Sequence, residues 1–318
     1  MVTSPPLRIA YFGTPDFAVP TLRTLIASRH PVVALVSQPD RPRGRGHHTA
    51  PTPTKQLAIE HGIPVMQPTR LRDEAFLSGL RDVAPDLGVV AAYGRIIPDE
   101  LLALPRLGMI NVHASLLPAY RGAAPIHRAV MAGDIETGVT IMRVVKELDA
   151  GPMLSMVRRP IGPDETSVDV ERALSELGAT ALLQVVEQMA AGPVVDVFQD
   201  DARATHAAKI AKEESAVDWS LPAREIHNRV RGLQPWPLVA IRIAGIRYRL
   251  HRTALTSART DAPAGTILSA SGDVITIAAG SSSVLRVLQL QPDGKRVMDA
   301  REFLSGHRLE PGTIVTPS

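Results

Sequence analysis

The run Asn111 to Gly122, NVHASLLPAYRG, carries the residue types of this chain best suited to carbonyl chemistry. Asn111 and His113 stand two positions apart at the end of an apolar stretch, Met109 to Val112, that reads as a buried strand. Residues two apart on a strand point to the same side, so an amide N–H and a ring N–H can converge on one oxygen where negative charge develops. A histidine alone would more often be a packing residue. The amide beside it, followed by a Leu-Leu-Pro turn and Arg121, favours a reactive site.

A second group is cationic. Arg41, Arg43 and Arg45 sit among prolines and glycines in QPDRPRGRGHH, Gln38 to His48, after the strand candidate Val32 to Ser37. Ligands of an open parallel sheet bind beyond the carboxyl ends of its strands, and the guanidinium fork matches phosphate oxygens and base edges. A solvated loop explains the composition equally well. The first strand candidate, Leu7 to Phe12, runs into Gly13-Thr14-Pro15-Asp16, which lacks the G-x-G-x-x-G of a dinucleotide site. This loop reads either as a tight strand-to-helix turn or as an anion contact.

These side chains must be held by a scaffold, and 318 residues with 45 % hydrophobic content can fill two cores. In the first half, Leu7 to Phe12, Val32 to Ser37, Leu87 to Ala92, Met109 to Val112 and Val139 to Val145 read as strands. Between them Phe17 to Ala27, Thr54 to His61 and Asp73 to Val83 read as helices, and Thr166 to Ala190 as a long one. The expectation is an α/β, Rossmann-like, doubly wound domain over residues 1–191. A polar linker is expected over 192–206, and a smaller OB-like β-barrel over 207–318. The barrel strands are Leu238 to Ile243, Arg247 to His251, Val274 to Ala278 and Val284 to Leu290; the helix Arg224 to Arg231 precedes them, with Gly232 placed to end it.

Charge divides along the same line. Residues 205–318 carry 15 Lys and Arg against 10 Asp and Glu, whereas the remainder is slightly acidic. A basic segment joined to a near-neutral one suits a polyanion gripped by one domain while the other reacts, although a solvated basic face has the same composition. The absence of cysteine removes disulfides, thiolate metal sites and thiol nucleophiles, and the ten histidines show no H-E-x-x-H spacing, so no metal is expected. Met1 to Pro6 lacks the features of a secretory signal and no stretch approaches a membrane span, so a cytoplasmic protein is expected. Trp219 and Trp236 are expected to pack rather than to stack on bases.

The run Gly108 to Gly122 matches G-x-I-N-x-H-x-S-L-L-P-x-x-R-G and resembles the signature of the folate-dependent formyltransferases. The resemblance adds a third catalytic residue, Asp149, in the L-D-x-G segment Leu148 to Gly151. It implies Asn111, His113 and Asp149 as the catalytic set and 10-formyltetrahydrofolate as cosubstrate. Ser115, Leu116, Leu117 and Pro118 would border the folate, and the backbone of Ala91, Ala92, Tyr93 and Gly94 would lie near its pterin.

Four further segments resemble the branch of that family that formylates methionine on initiator tRNA. They are GTPDF at Gly13 to Phe17, QPDRPxGRG at Gln38 to Gly46, KIxKEE at Lys209 to Glu214 and PWP at Pro235 to Pro237. His47 and His48 stand where that branch often carries lysines. The resemblance implies a tRNA partner, with Arg45 entering the acceptor end; Arg41 and Arg43 of the same loop and Lys209, Lys212 and Arg249 of the basic segment are expected to meet it too, and the chain is expected to act as a monomer.

Formyl transfer itself is attack of an uncharged amine on a carbonyl, and it needs oxyanion donors and a proton acceptor rather than a metal. Asn111 and His113 would be the donors, and Asp149 would orient His113 and take the proton. Two alternatives share part of this pattern. A formyltransferase acting on a sugar nucleotide or glycinamide ribonucleotide would keep the trio without needing the arginine loop or a basic domain. A noncatalytic RNA-binding protein would need the basic domain without the trio.

Overall fold

The computed structural model describes residues 4–43 and 48–318. They form two compact units, one of Met1–Ala123, Thr137–Arg159 and Glu171–Ala207, the other of Ala124–Glu136, Pro160–Val170 and Ala208–Ser318.

The first unit is built on a seven-stranded sheet. Its spatial order is Val65–Met66, Val32–Val36, Ile9–Gly13, Leu87–Ala91, Met109–His113, Glu136–Arg143, Met153–Pro160. The first five run parallel, and Glu136–Arg143 is antiparallel to Met109–His113. Ile9–Gly13 and Leu87–Ala91 are buried throughout, which is why they read as unbroken apolar runs. Two of the helices start on short polar caps: Thr52 accepts from Lys55 N ahead of Pro53–Glu60, and Asp73 accepts from Phe76 N ahead of Glu74–Asp82. Strand order reverses between Ile9–Gly13 and Leu87–Ala91, and open sheets of this kind bind ligands beyond the carboxyl ends of the strands at such a reversal. There Gly13 is required by crowding, since a Cβ would stand 2.7 Å from the Tyr11 ring and 3.0 Å from Ala91 O.

The second unit carries an antiparallel sheet ordered Ile267–Ser271, Val274–Ala279, Ser283–Pro292, Ile246–Arg259, Val239–Ile243, Val315–Pro317. The last of these closes the curl. Val315–Pro317 pairs with Val239–Ile243, while Val315 N donates to Gly265 O and Ile267 N to Thr313 O, joining it to the opposite edge. The interior is filled by Trp219, Val230, Leu250, Ile277, Leu285 and Phe303 among others. Trp219 packs as expected, whereas Trp236 is half exposed.

Two features differ from the sequence reading. The second unit takes in the helix Pro125–Ala132, which packs on Ala223–Gly232, from within the range expected to be one domain. Gly232 is the last residue of its helix, as expected, and it is kept small because a Cβ would lie 2.4 Å from Met131 Cγ. Residues 192–206, expected to be a linker, belong to the first unit and are stitched to it. Met153 and Val197 exchange backbone hydrogen bonds, Arg143 Nε meets Asp196 Oδ1 at 2.6 Å, and His206–Ala207 runs parallel to Arg121–Gly122. Their polar composition has no period because their partners are distant strands. Among the described residues no helix is long and apolar enough to cross a membrane.

Candidate functional site

Asn111 and His113 lie on Met109–His113, opposite Met142 and Thr140 of the antiparallel neighbour. Asn111 is half-buried between buried neighbours, and the His113 side chain is 6 % exposed. The chain then turns through Ser115 to Pro118, and Thr140 locks that turn. Its hydroxyl donates to Ser115 O at 2.7 Å and accepts from Leu117 N at 3.2 Å, while Ser115 Oγ donates to Ala119 O at 2.6 Å. Ser115 and Leu117 are therefore buried parts of the turn, and Leu116 and Pro118 are its partly exposed residues. The Leu117–Pro118 peptide is cis.

Asp149 arrives from the loop after Glu136–Arg143, and its Oδ2 lies 3.6 Å from His113 Nδ1. The other ring nitrogen, Nε2, is 3.0 Å from Tyr120 O. Both nitrogens thus face oxygens, so the ring N–H of either tautomer points at an acceptor. The same Oδ2 accepts from Gly122 N at 2.9 Å. Asp149 holds φ = +50°, a left-handed conformation that a side chain disfavours and that surrounding contacts must sustain. The glycine of the LDAG segment also has a physical reason, because a Cβ on Gly151 would stand 1.9 Å from Arg143 O.

One support of Asp149 can be tested directly. Gly122 has φ = +120°, and a Cβ there would lie 2.8 Å from Ala207 O and 2.9 Å from the His206 ring. Gly122→Ala must therefore move the amide that holds the carboxylate. We expect turnover to fall at least about tenfold with the unfolding midpoint shifted by only a few degrees, read by single-turnover formyl transfer and calorimetry.

The segment expected near the pterin follows the strand Leu87–Ala91 at the strand reversal. Ala91 and Tyr93 are buried, while Ala92 at φ = +46° and Gly94 at φ = +79° are exposed or near the surface turn, so a short length of backbone is presented beyond the sheet edge. The Tyr93 hydroxyl is buried without a hydrogen-bond partner among the described residues. By contrast the Gly13 loop spends its polar groups internally: Thr54 Oγ1 donates to Gly13 O at 2.9 Å, and Thr14 Oγ1 accepts from Gln38 N at 3.2 Å. This agrees with a strand-to-helix turn.

The arginine segment is a hairpin, Arg41–Arg43 paired antiparallel with His48–Ala50. Arg41 is exposed, Arg43 is in the first strand, and Arg45 lies outside the described residues. The base of the hairpin is anchored: Lys55 Nζ meets Asp40 Oδ2 at 2.5 Å, and Gln67 Nε2 donates to Asp40 Oδ1 at 2.7 Å. These donors hold the Asp40 carboxyl below its usual range.

In the second unit, Lys209 and Lys212 are exposed, while Arg249 is paired with Asp293 at 3.0 Å. Lys212 instead shares a surface depression with Arg242 and Arg247, which stand opposite each other across a hairpin. The sequence reading missed these two, and only the strand register brings them together. It also missed Gln199, whose Nε2 donates to Asp149 O and Gly151 O, both at 2.8 Å. Among the described residues no cluster of three or more acidic or imidazole groups could hold a metal ion.

A largely parallel sheet that presents an amide and an imidazole at one strand end, met there by a carboxylate from a loop, and followed in sequence by a curled antiparallel sheet, defines a class. The Formyl transferase family profile matches residues 7–186, its C-terminal domain profile matches residues 209–308, and the chain belongs to that family. Among its relatives, methionyl-tRNA formyltransferase of Methylococcus capsulatus is 46 % identical over 95 % of this chain and 98 % of that protein. The enzyme of the same name from Moorella thermoacetica is 43 % identical over 97 % and 99 %. Among solved structures, HypX from Aquifex aeolicus in complex with tetrahydrofolic acid aligns with a TM-score of 0.63 at 16 % identity. That match covers 96 % of this chain, which spans only 49 % of HypX. WlaRD, a sugar 3N-formyl transferase, aligns with a TM-score of 0.66 at 16 % identity over 91 % of this chain and 99 % of its own. The two solved structures share the fold.

Proposed function

We propose that this chain transfers the formyl group of 10-formyltetrahydrofolate to the amino group of methionine on initiator methionyl-tRNA, acting as a monomer in the cytoplasm. The observation that carries the reading is Asp149 Oδ2 at 3.6 Å from His113 Nδ1, on the strand that also bears Asn111, in a chain 46 % identical along nearly its whole length to a methionyl-tRNA formyltransferase.

When bound, 10-formyltetrahydrofolate supplies the formyl carbon that the amine attacks. Ala91 to Gly94 would hold its pterin through backbone groups, and Leu116 and Pro118 would border it, with Ser115 and Leu117 shaping the turn beneath. The Asn111 amide and a His113 ring N–H donate to the oxygen on which charge develops. For His113 Nε2 to reach that oxygen, the Tyr120 carbonyl must share or yield its hydrogen bond. Asp149 orients the imidazole and accepts the proton lost by the attacking amine, directly or through water; the bond from the formyl carbon to N10 of the folate then breaks, and N10 leaves as tetrahydrofolate with a proton that balances the one the amine gave up.

Arg41, Arg43 and Arg45 would meet the acceptor end of the tRNA beyond the strand Val32–Val36, and the cations of the second unit its phosphates. A sugar formyl transferase shares the sheet, so the acceptor is what an experiment must decide. Incubation with 10-formyltetrahydrofolate and charged or uncharged tRNA should yield formylmethionine on charged initiator tRNA alone. Transfer to small amines, with none to charged tRNA, would overturn the reading.

A further inference from the structure

We propose that Gln199 is a positioning residue for this reaction, its side-chain amide holding Asp149 in the backbone conformation that brings the carboxylate to His113. The inference rests on the reading that Asp149 takes part in formyl transfer. It concerns a residue in the stretch expected to be a linker.

Asp149 is gripped at both ends. Its Oδ2 accepts from Gly122 N at 2.9 Å, which fixes the carboxylate. Its main-chain carbonyl accepts from Gln199 Nε2 at 2.8 Å, and the same nitrogen donates to Gly151 O at 2.8 Å. One amide group thus uses its two N–H donors to bridge the carbonyls on either side of Ala150. That bridge holds the Asp149 carbonyl in a turn where φ is +50°, a conformation the residue would not keep by its own preference.

The orientation of the amide is itself determined. Gln199 Oε1 accepts from Arg121 Nε at 2.9 Å, so the oxygen faces the guanidinium and both N–H bonds face the carbonyls. Arg121 is held in turn by Asp201 Oδ1 at 2.6 Å. Since Arg121 precedes Gly122, the contacts form a closed circuit: Asp149 carboxylate, Gly122 amide, Arg121 guanidinium, Gln199 amide, Asp149 carbonyl. The Arg121 and Asp149 side chains are only 15 % and 13 % exposed, and Gln199 is half-buried, so water competes weakly for these bonds. The position needs a neutral group with two donors and one acceptor. A glutamate of the same size would keep the acceptor for Arg121 and set an oxygen against two carbonyls.

The test uses Gln199→Glu and Gln199→Met in the full chain beside Asp149→Asn. For both Gln199 variants, kcat should fall at least about tenfold while KM for charged tRNA and for folate changes less than about twofold. Amide exchange at Gly122 should quicken, with Leu87–Ala91 unaffected, because the acceptor of that N–H has moved. Gln199→Met retains the length and adds no charge, so it carries the test if the glutamate variant folds poorly. Native kcat in Gln199→Met, or a lower kcat with Gly122 exchange unchanged, would overturn the proposal. Native kcat in Asp149→Asn would instead overturn the assignment of Asp149, which separates the two failures.

Discussion

His113→Ala and Asn111→Ala should each lower formyl-transfer turnover at least about a hundredfold, the scale of removing one oxyanion donor from a shielded site. Both side chains leave the same strand face beside the locked Ser115 to Pro118 turn, and neither is among the cations assigned to tRNA. Dissociation constants for charged tRNA should therefore stay within about twofold of native, separating chemistry from binding. His113→Ala also leaves Asp149 Oδ2 with its Gly122 hydrogen bond, so the loop should keep its form. Rapid-quench transfer rates and equilibrium tRNA binding on the same preparations check both parts. Near-native turnover in either variant would remove that residue from the set.

What can be read from sequence is what local pattern encodes. Asn111 and His113 are legible because strand alternation and the following turn lie within one short run. The central strands are legible because burial on both faces leaves unbroken apolar stretches such as Leu87–Ala91. Asp149 comes through family resemblance alone, since nothing local says that its carboxylate returns to within 3.6 Å of His113. Gln199 stays hidden because its two N–H donors go to main-chain carbonyls, which have no signature in residue type, and its oxygen to an arginine 78 residues away. The strap over 192–206 and the helix Pro125–Ala132 escape the sequence reading for a related reason. Unit membership depends on distant pairing, here Met153 with Val197 and Met131 against Gly232, rather than on a change in composition.

Reversing charge at Lys209, Lys212 and Arg242 should weaken charged-tRNA binding and flatten its salt dependence while leaving kcat at saturating tRNA within about twofold. Residues 205–318 carry 15 Lys and Arg against 10 Asp and Glu, and the structure shows which of those charges are available. Lys209, Lys212 and Arg242 are exposed, whereas Arg249 already lies 3.0 Å from Asp293, so its reversal would mainly create a repulsive pair. Removing the second unit is the poorer experiment. Its core includes Ala124 and packs Met131, so cutting the chain near residue 207 would strand the helix Pro125–Ala132 without its partner Ala223–Gly232. Cations that neutralise phosphates release condensed counterions, so each such neutralisation abolished should reduce the slope of log affinity against log salt by about 0.7 to 0.9. Titrations between about 50 and 200 mM salt measure that slope, and the triple variant should lose affinity most at the low end, where the native electrostatic contribution is largest. Unchanged affinity and slope would show that the second unit does not grip nucleic acid, and a small-amine acceptor would then account better for the trio.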